Sequence, residues 1–211
     1  MTPLEEEIRG LIEQDGPISV ATYMSLCLSH PSHGYYTTGH PVGGRASAER
    51  QGGDFITAPE VSQMFGELIG VWCMEIWLAL GKPSRFNLVE VGPGRGTLMK
   101  DLLRAATAMP DFFNAAQVHL VEISPTLAEQ QARTLQDSQK KLTWLPTIGA
   151  LPDSPSIIIG NELLDALPFH QWIKTDDGWT ERAVGLVENE LAFVTRPGKI
   201  NETILDRKSV V

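Results

Sequence analysis

Gly92, Gly94 and Gly96 follow the apolar run Leu88-Val89-Glu90-Val91 and precede Thr97-Leu98, where a helical pattern begins. The pattern predicts a buried strand, a tight turn and a helix. Glycine lets the main chain come within contact distance of a ligand, and the free N–H groups at a helix start favour negative charge. The spacing is G-x-G-x-G, and the position that a dinucleotide fingerprint gives to its third glycine holds Thr97, which argues against a nicotinamide cofactor. A strand predicted at 118–122 ends in Glu122, where folds of this kind grip ribose hydroxyls. A close main-chain turn for a methionine end and an acid for a ribose diol are the parts of an S-adenosylmethionine site. Glu90, Gly92, Gly94, Gly96 and Glu122 are therefore the expected cofactor-binding residues. Each also has a plain reading, a simple loop for the glycines and a solvated carboxylate for Glu122.

Positioning these groups requires a regular scaffold, and the patterning supplies one. Leu4, Ile8, Leu11 and Ile12 recur at helical spacing, Gly16-Pro17 ends that helix, and Ser19 caps a second one running through Leu28. Residues 29–53 read as a long loop, mobile over 43–53. Pro59–Leu80 reads as one long helix with Val61, Met64, Phe65, Leu68, Ile69, Trp72, Ile76 and Trp77 on its core face. Strands at 87–91, 118–122, 142–145 and 156–160 alternate with helices at 97–107 and after Ser124-Pro125. This rhythm predicts an α/β fold with a parallel sheet, helices on both faces and ligands at the carboxyl ends of the strands. After Pro168, segments 171–175, 179–187 and 191–195 predict an antiparallel meander. The expected division is an N-terminal helical lobe with a cofactor-covering segment at 1–84, a Rossmann-like core at 85–168 and the meander at 169–211.

The 211 residues carry a net charge of −9, with 42% hydrophobic and 20% charged residues. No basic stripe suited to nucleic acid is present, and a basic protein is the more natural partner. Cys27 and Cys73 lie in apolar helical patterns, as reduced core thiols do. His30 and His33 lack a third ligand, so no metal site is expected. Glu67 and Glu75 interrupt the longest apolar run, which excludes a membrane span there. The acidic start Met1-Thr2-Pro3-Leu4-Glu5-Glu6-Glu7 has no leader pattern, and the expected location is cytoplasmic.

Three separated segments carry a family likeness: Gly53-Asp54-Phe55-Ile56-Thr57-Ala58-Pro59-Glu60-Val61-Ser62-Gln63-Met64-Phe65-Gly66-Glu67, the glycine turn with Pro93 and Arg95, and Asn161-Glu162-Leu163-Leu164-Asp165-Ala166-Leu167-Pro168. In this order they resemble the MidA family of class I S-adenosylmethionine-dependent methyltransferases, whose mitochondrial members are assembly factors for respiratory complex I. The likeness spans about residues 5 to 196. It implies methylation of arginine on a protein such as an NADH dehydrogenase subunit. It also implies that 53–67 closes over the cofactor, with Thr57, Pro59, Glu60, Ser62 and Gln63 near the site; for Thr57 or Pro59 alone, a loop-to-helix junction is the plain reading.

A guanidinium is protonated and a poor nucleophile, so its methylation needs carboxylates that orient it and localise lone-pair density on the attacking nitrogen. Glu162 and Asp165 are the expected guanidinium-binding carboxylates, with Asn161 or the nearby main chain aiding the substrate or the sulfonium. The plain alternative is that Asp165 caps a helix and Glu162 is solvated. Family sequences continue beyond residue 211, so the sheet is expected to be incomplete, with an uncovered edge that a homodimer would cover. Alternative functions are a catalytically impaired fragment that serves as an S-adenosylmethionine-binding or assembly module, and a small-molecule methyltransferase.

Overall fold

The computed structural model describes residues 1–38, 56–198 and 200. Two compact units emerge, Met1–Gly39 with Asp165–Val211, and His40–Leu164. The expected loop at 43–53 lies outside the described residues. This division differs from three consecutive segments, because the first and last parts of the chain share one sheet.

In the first unit, α1 (Pro3–Asp15) is capped by Thr2, whose hydroxyl accepts from the Glu5 N–H. Strand β1 (Ile18–Ser19) leads into α2 (Val20–Ser29), capped by Ser19 as the sequence predicts, and a short α3 (Tyr35–Thr38) follows. Ile8 and Ile12 of α1 pack with Ile18 and with Val184 of the meander. The pairing Ile18↔Val184 and Ser19↔Ala183 sews the amino-terminal segment onto that meander.

The second unit begins with α4 (Ala58–Val61) and α5 (Gln63–Ala79). The expected single helix is thus broken at Ser62, which is extended (φ −144°, ψ 124°) and whose hydroxyl accepts from the Met64 N–H. Of the expected core face, Phe65, Ile69, Ile76 and Trp77 do pack into the core, but the other half needs correction. Val61, Met64, Leu68 and Trp72 are exposed, while Gly66, Gly70, Cys73, Met74 and Trp77 are buried. Gly66 and Gly70 decide the rotation. A Cβ on Gly66 would lie 2.7 Å from the Asp101 Cβ, and one on Gly70 would lie 3.0 Å from the Leu102 carbonyl oxygen. Only a bare helix face allows so close an approach to the next helix.

Strand β2 (Phe86–Val91) then feeds α6 (Thr97–Ala106), and α7 (Pro110–Ala115) precedes β3 (Ala116–Val121). Helix α8 (Pro125–Thr134) has Ser124 as its cap and Pro125 in its first turn, as predicted. It is followed by β4 (Leu142–Leu145) and β5 (Ser156–Ile159). The sheet is parallel, in the order β4-β3-β2-β5. Phe86, Leu88, Leu120 and Ile157 pack with Leu98, Met99, Leu102, Phe112 and Trp77 in one core. Central strands buried this thoroughly read as largely apolar runs, which is why β2 is legible from sequence despite its buried Asn87 and Glu90.

The meander comprises β6 (Gln171–Thr175), β7 (Gly178–Val187) and β8 (Glu190–Arg196), all antiparallel and all in the first unit. No helix among the described residues is long and apolar enough to cross a membrane.

Candidate cofactor site at the end of the parallel sheet

The carboxyl end of β2 continues into the glycine turn. The Gly92 N–H donates to the Val121 carbonyl (3.0 Å), and the Gly96 N–H donates to that of Pro93 (2.8 Å) before α6 begins. Gly92, Gly94 and Gly96 all have positive φ, 64°, 55° and 83°. Any side chain there is strained. Crowding adds to this at Gly92, where a Cβ would lie 2.9 Å from the Leu163 Cδ1, whereas one on Gly96 would meet the Gln131 Cα at an ordinary contact distance of 3.4 Å. Gly96 thus supplies the close helix contact expected of a third glycine, but toward α8.

Glu122 lies one residue past β3, beside the turn. Its Oε1 accepts from the Ser124 N–H (2.8 Å) and its Oε2 from the Gln131 Nε2 (3.0 Å), which also donates to the Gly94 carbonyl (2.9 Å). Both oxygens keep lone-pair capacity for a diol. Glu90 is different. It is only 2% exposed, its Oε2 has no partner, and burial pushes its carboxyl up to about 8 against a smaller opposing effect of the Met99 main chain.

The segment before α5 reaches the turn through Glu60. This buried carboxylate accepts a short hydrogen bond from the Thr97 hydroxyl (2.5 Å), at the first residue of α6. The other residues of the segment have local partners. The Thr57 carbonyl accepts from the Glu60 and Val61 N–H groups, Pro59 is buried in the first turn of α4, Ser62 caps α5, and Gln63 donates to Glu67 (3.2 Å). Gly53, Asp54 and Phe55 lie outside the described residues.

Past β5, Leu163 packs on both Gly92 and Gly160, bringing the 160–164 loop against the turn. Asn161 is half-buried, and Glu162 is exposed with φ 49°, a left-handed conformation that is costly for a residue bearing a Cβ. Asp165 sits within a short 3-10 turn (Leu164–Ala166) and does not cap a helix. It belongs to the other unit, where burial and its charge both raise the Tyr36 hydroxyl. Of the expected residues, the structure therefore brings together the three glycines, Glu122 and the Asn161–Glu162 loop. Glu60 is expected near the site from the family likeness alone, and neither composition nor periodicity singles out Leu163 or Gln131. A signal existed for Gln131, a polar residue at a core position between Leu127 and Leu135 at i ± 4.

Three of the described histidines have clear surroundings. His30 Nδ1 accepts from the Ser32 and His33 N–H groups, His170 pairs with Glu181, and His119 is buried with both ring nitrogens unpartnered. The described residues hold no cluster of three His, Cys, Asp or Glu side chains suited to a metal ion.

A parallel sheet whose central strand ends in a positive-φ glycine turn, with an acid at the end of the neighbouring strand, is the arrangement of nucleoside-binding α/β domains. The chain belongs to the family described as "Putative S-adenosyl-L-methionine-dependent methyltransferase", whose family model matches residues 68–208. It is 38% identical to the mitochondrial protein arginine methyltransferase NDUFAF7 of Danio rerio, over 91% of this chain and 50% of that protein. It is 37% identical to the Homo sapiens protein of the same name, over 93% of this chain and 49% of that one. A crystal structure from Burkholderia thailandensis bound to S-adenosyl-homocysteine aligns with a TM-score of 0.75 and 29% identity, over 95% of this chain and 51% of that one. The chain thus spans about half the length of these relatives. Their names overturn the expected cytoplasmic location, since both are called mitochondrial. Residues 3–15 form a helix with Ile8 and Ile12 buried, so their composition answers to packing.

Proposed function

We propose that this chain binds S-adenosylmethionine at the glycine turn and takes part in methylating an arginine of a protein, with a subunit of respiratory complex I as the acceptor. The observation that carries the reading is the adjacency of the turn and Glu122, linked by one amide at 2.9 and 3.0 Å. The residues fit such a cofactor. Bare main chain at Gly92, Gly94 and Gly96 takes the amino-acid end, and Glu122 takes the ribose hydroxyls. When bound, the cofactor supplies an electrophilic methyl group whose carbon–sulfur bond breaks as the carbon–nitrogen bond forms.

The remaining work belongs to the chain. Glu162, exposed on a loop held to the turn by Leu163, orients the guanidinium and favours lone-pair density on one nitrogen, and Asn161 assists. The left-handed conformation of Glu162 is the kind of strain that persists where the surroundings require it. The names of the relatives support arginine as the acceptor, while complex I as the setting rests on the family likeness. Incubation with labelled S-adenosylmethionine and an NADH dehydrogenase subunit should place label on arginine. Label confined to a small molecule, or to other residues, would contradict the substrate class.

A further inference from the structure

We propose that Gln131 is a positioning residue for cofactor binding: its amide sets the aim of the Glu122 carboxylate and of the Gly94 carbonyl, and Trp144 fixes which way the amide faces. The inference rests on the reading that the turn and Glu122 hold the cofactor. Gln131 lies on α8 and is fully buried. Its Oε1 accepts from the indole Nε1 of Trp144 on β4 (2.8 Å). Indole N–H is a donor only, so this contact identifies the oxygen end of the amide. The two hydrogens on Nε2 are then assigned, one to the Gly94 carbonyl (2.9 Å) and one to Glu122 Oε2 (3.0 Å).

Both donors meet acceptors, and the oxygen meets a donor. An apolar side chain would fill the same volume without directing anything. Glu122 is held from its other side by the Ser124 N–H, so its carboxylate is fixed in one orientation before a diol arrives. Gly96 packs on the Gln131 main chain, with a Cβ there 3.4 Å from the Cα. A turn carbonyl, a turn glycine and the ribose acid therefore all meet a single residue. Such preorganisation reduces what must be ordered on binding.

Titration of the whole chain with S-adenosyl-homocysteine across pH tests this. Gln131→Glu keeps the shape but turns an acceptor toward two acceptors. Its Kd should exceed that of the parent by at least about tenfold at pH 8, and the ratio should shrink at pH 5.5, where a protonated carboxyl again donates. Gln131→Met should lose about tenfold at both pH values, and Trp144→Phe, which frees the amide to turn over, about threefold. A merely structural role would lower affinity without that pH signature. If the parent binds and Gln131→Glu matches it at pH 8, or loses equally at both pH values, this inference alone is overturned. If Gln131→Glu does not fold, Trp144→Phe binding as well as the parent overturns it. A parent chain that binds no S-adenosyl-homocysteine overturns this inference together with the proposed function.

Discussion

Two buried glutamates, one in each unit, meet opposite environments. Glu181 on β7 is 4% exposed and is closed on both sides, by His170 Nδ1 (2.5 Å) and by Arg196 Nε (2.8 Å), while Arg196 also donates to the Pro17 carbonyl (3.0 Å). Burial alone would raise its carboxyl, but the hydrogen bonds from His170 and Arg196 hold it below the usual range. Glu90 on β2 is 2% exposed and keeps one oxygen unpartnered, and burial pushes it up to about 8. The first acid ties the meander to the amino-terminal segment. The second leaves an electrostatic cost in place two residues before the glycine turn.

Substitutions should separate the two regions. Gly96→Val combines a β-branched side chain with φ 83° and contact with Gln131, and should raise the Kd for S-adenosyl-homocysteine by about 100-fold or more. Calorimetry checks it, and near-parental affinity would remove the turn from the site. Glu90→Gln comes next. A carboxyl near 8 in the folded state, against an ordinary 4.5, lends stability that is complete below the ordinary value and is lost as pH rises through 8. Glutamine abolishes that loss, so the variant should match the parent near pH 4 and exceed it by a few kcal/mol at pH 9. Urea unfolding at the two pH values measures this, and parallel curves would contradict it.

Glu181→Gln should show the opposite sign. It should cost about 2 kcal/mol at pH 7, because a lowered carboxyl stabilises above its ordinary range. The deficit should close as pH falls through the folded value, and cofactor affinity should not change. The smallest effect is expected at Trp72, 52% exposed on α5. Trp72→Ala should shift unfolding by less than about 0.5 kcal/mol, whereas Trp77→Ala, at 3% exposure, should cost about 3–5 kcal/mol.

That tryptophan pair shows where sequence reading stops. Periodicity located the helical segment but not its rotation, because Trp72 and Trp77 both suit an apolar stripe and the glycines at 66 and 70 that choose the buried face read as weak helix residues. The break at Ser62 was hidden for a related reason, a hydroxyl that caps α5 inside a continuous apolar pattern. β1, with only Ile18 and Ser19, is too short to show alternation, so the union of the first helices with the meander could not be read.

The site divides in the same way. Its glycines and Glu122 were legible because local conformation and strand ends leave a pattern. Glu60 meeting Thr97, Leu163 meeting Gly92 and Gln131 meeting Gly94 are tertiary contacts between elements far apart in the chain, and no periodicity encodes them.

The central claim is that the turn and Glu122 together hold S-adenosylmethionine. The most direct measurement is titration of the chain and of Glu122→Ala with S-adenosyl-homocysteine. One equivalent bound by the parent, and affinity weakened about tenfold or more by the substitution, is the predicted result; equal affinity for the two, or no binding by the parent at millimolar ligand, would contradict the claim.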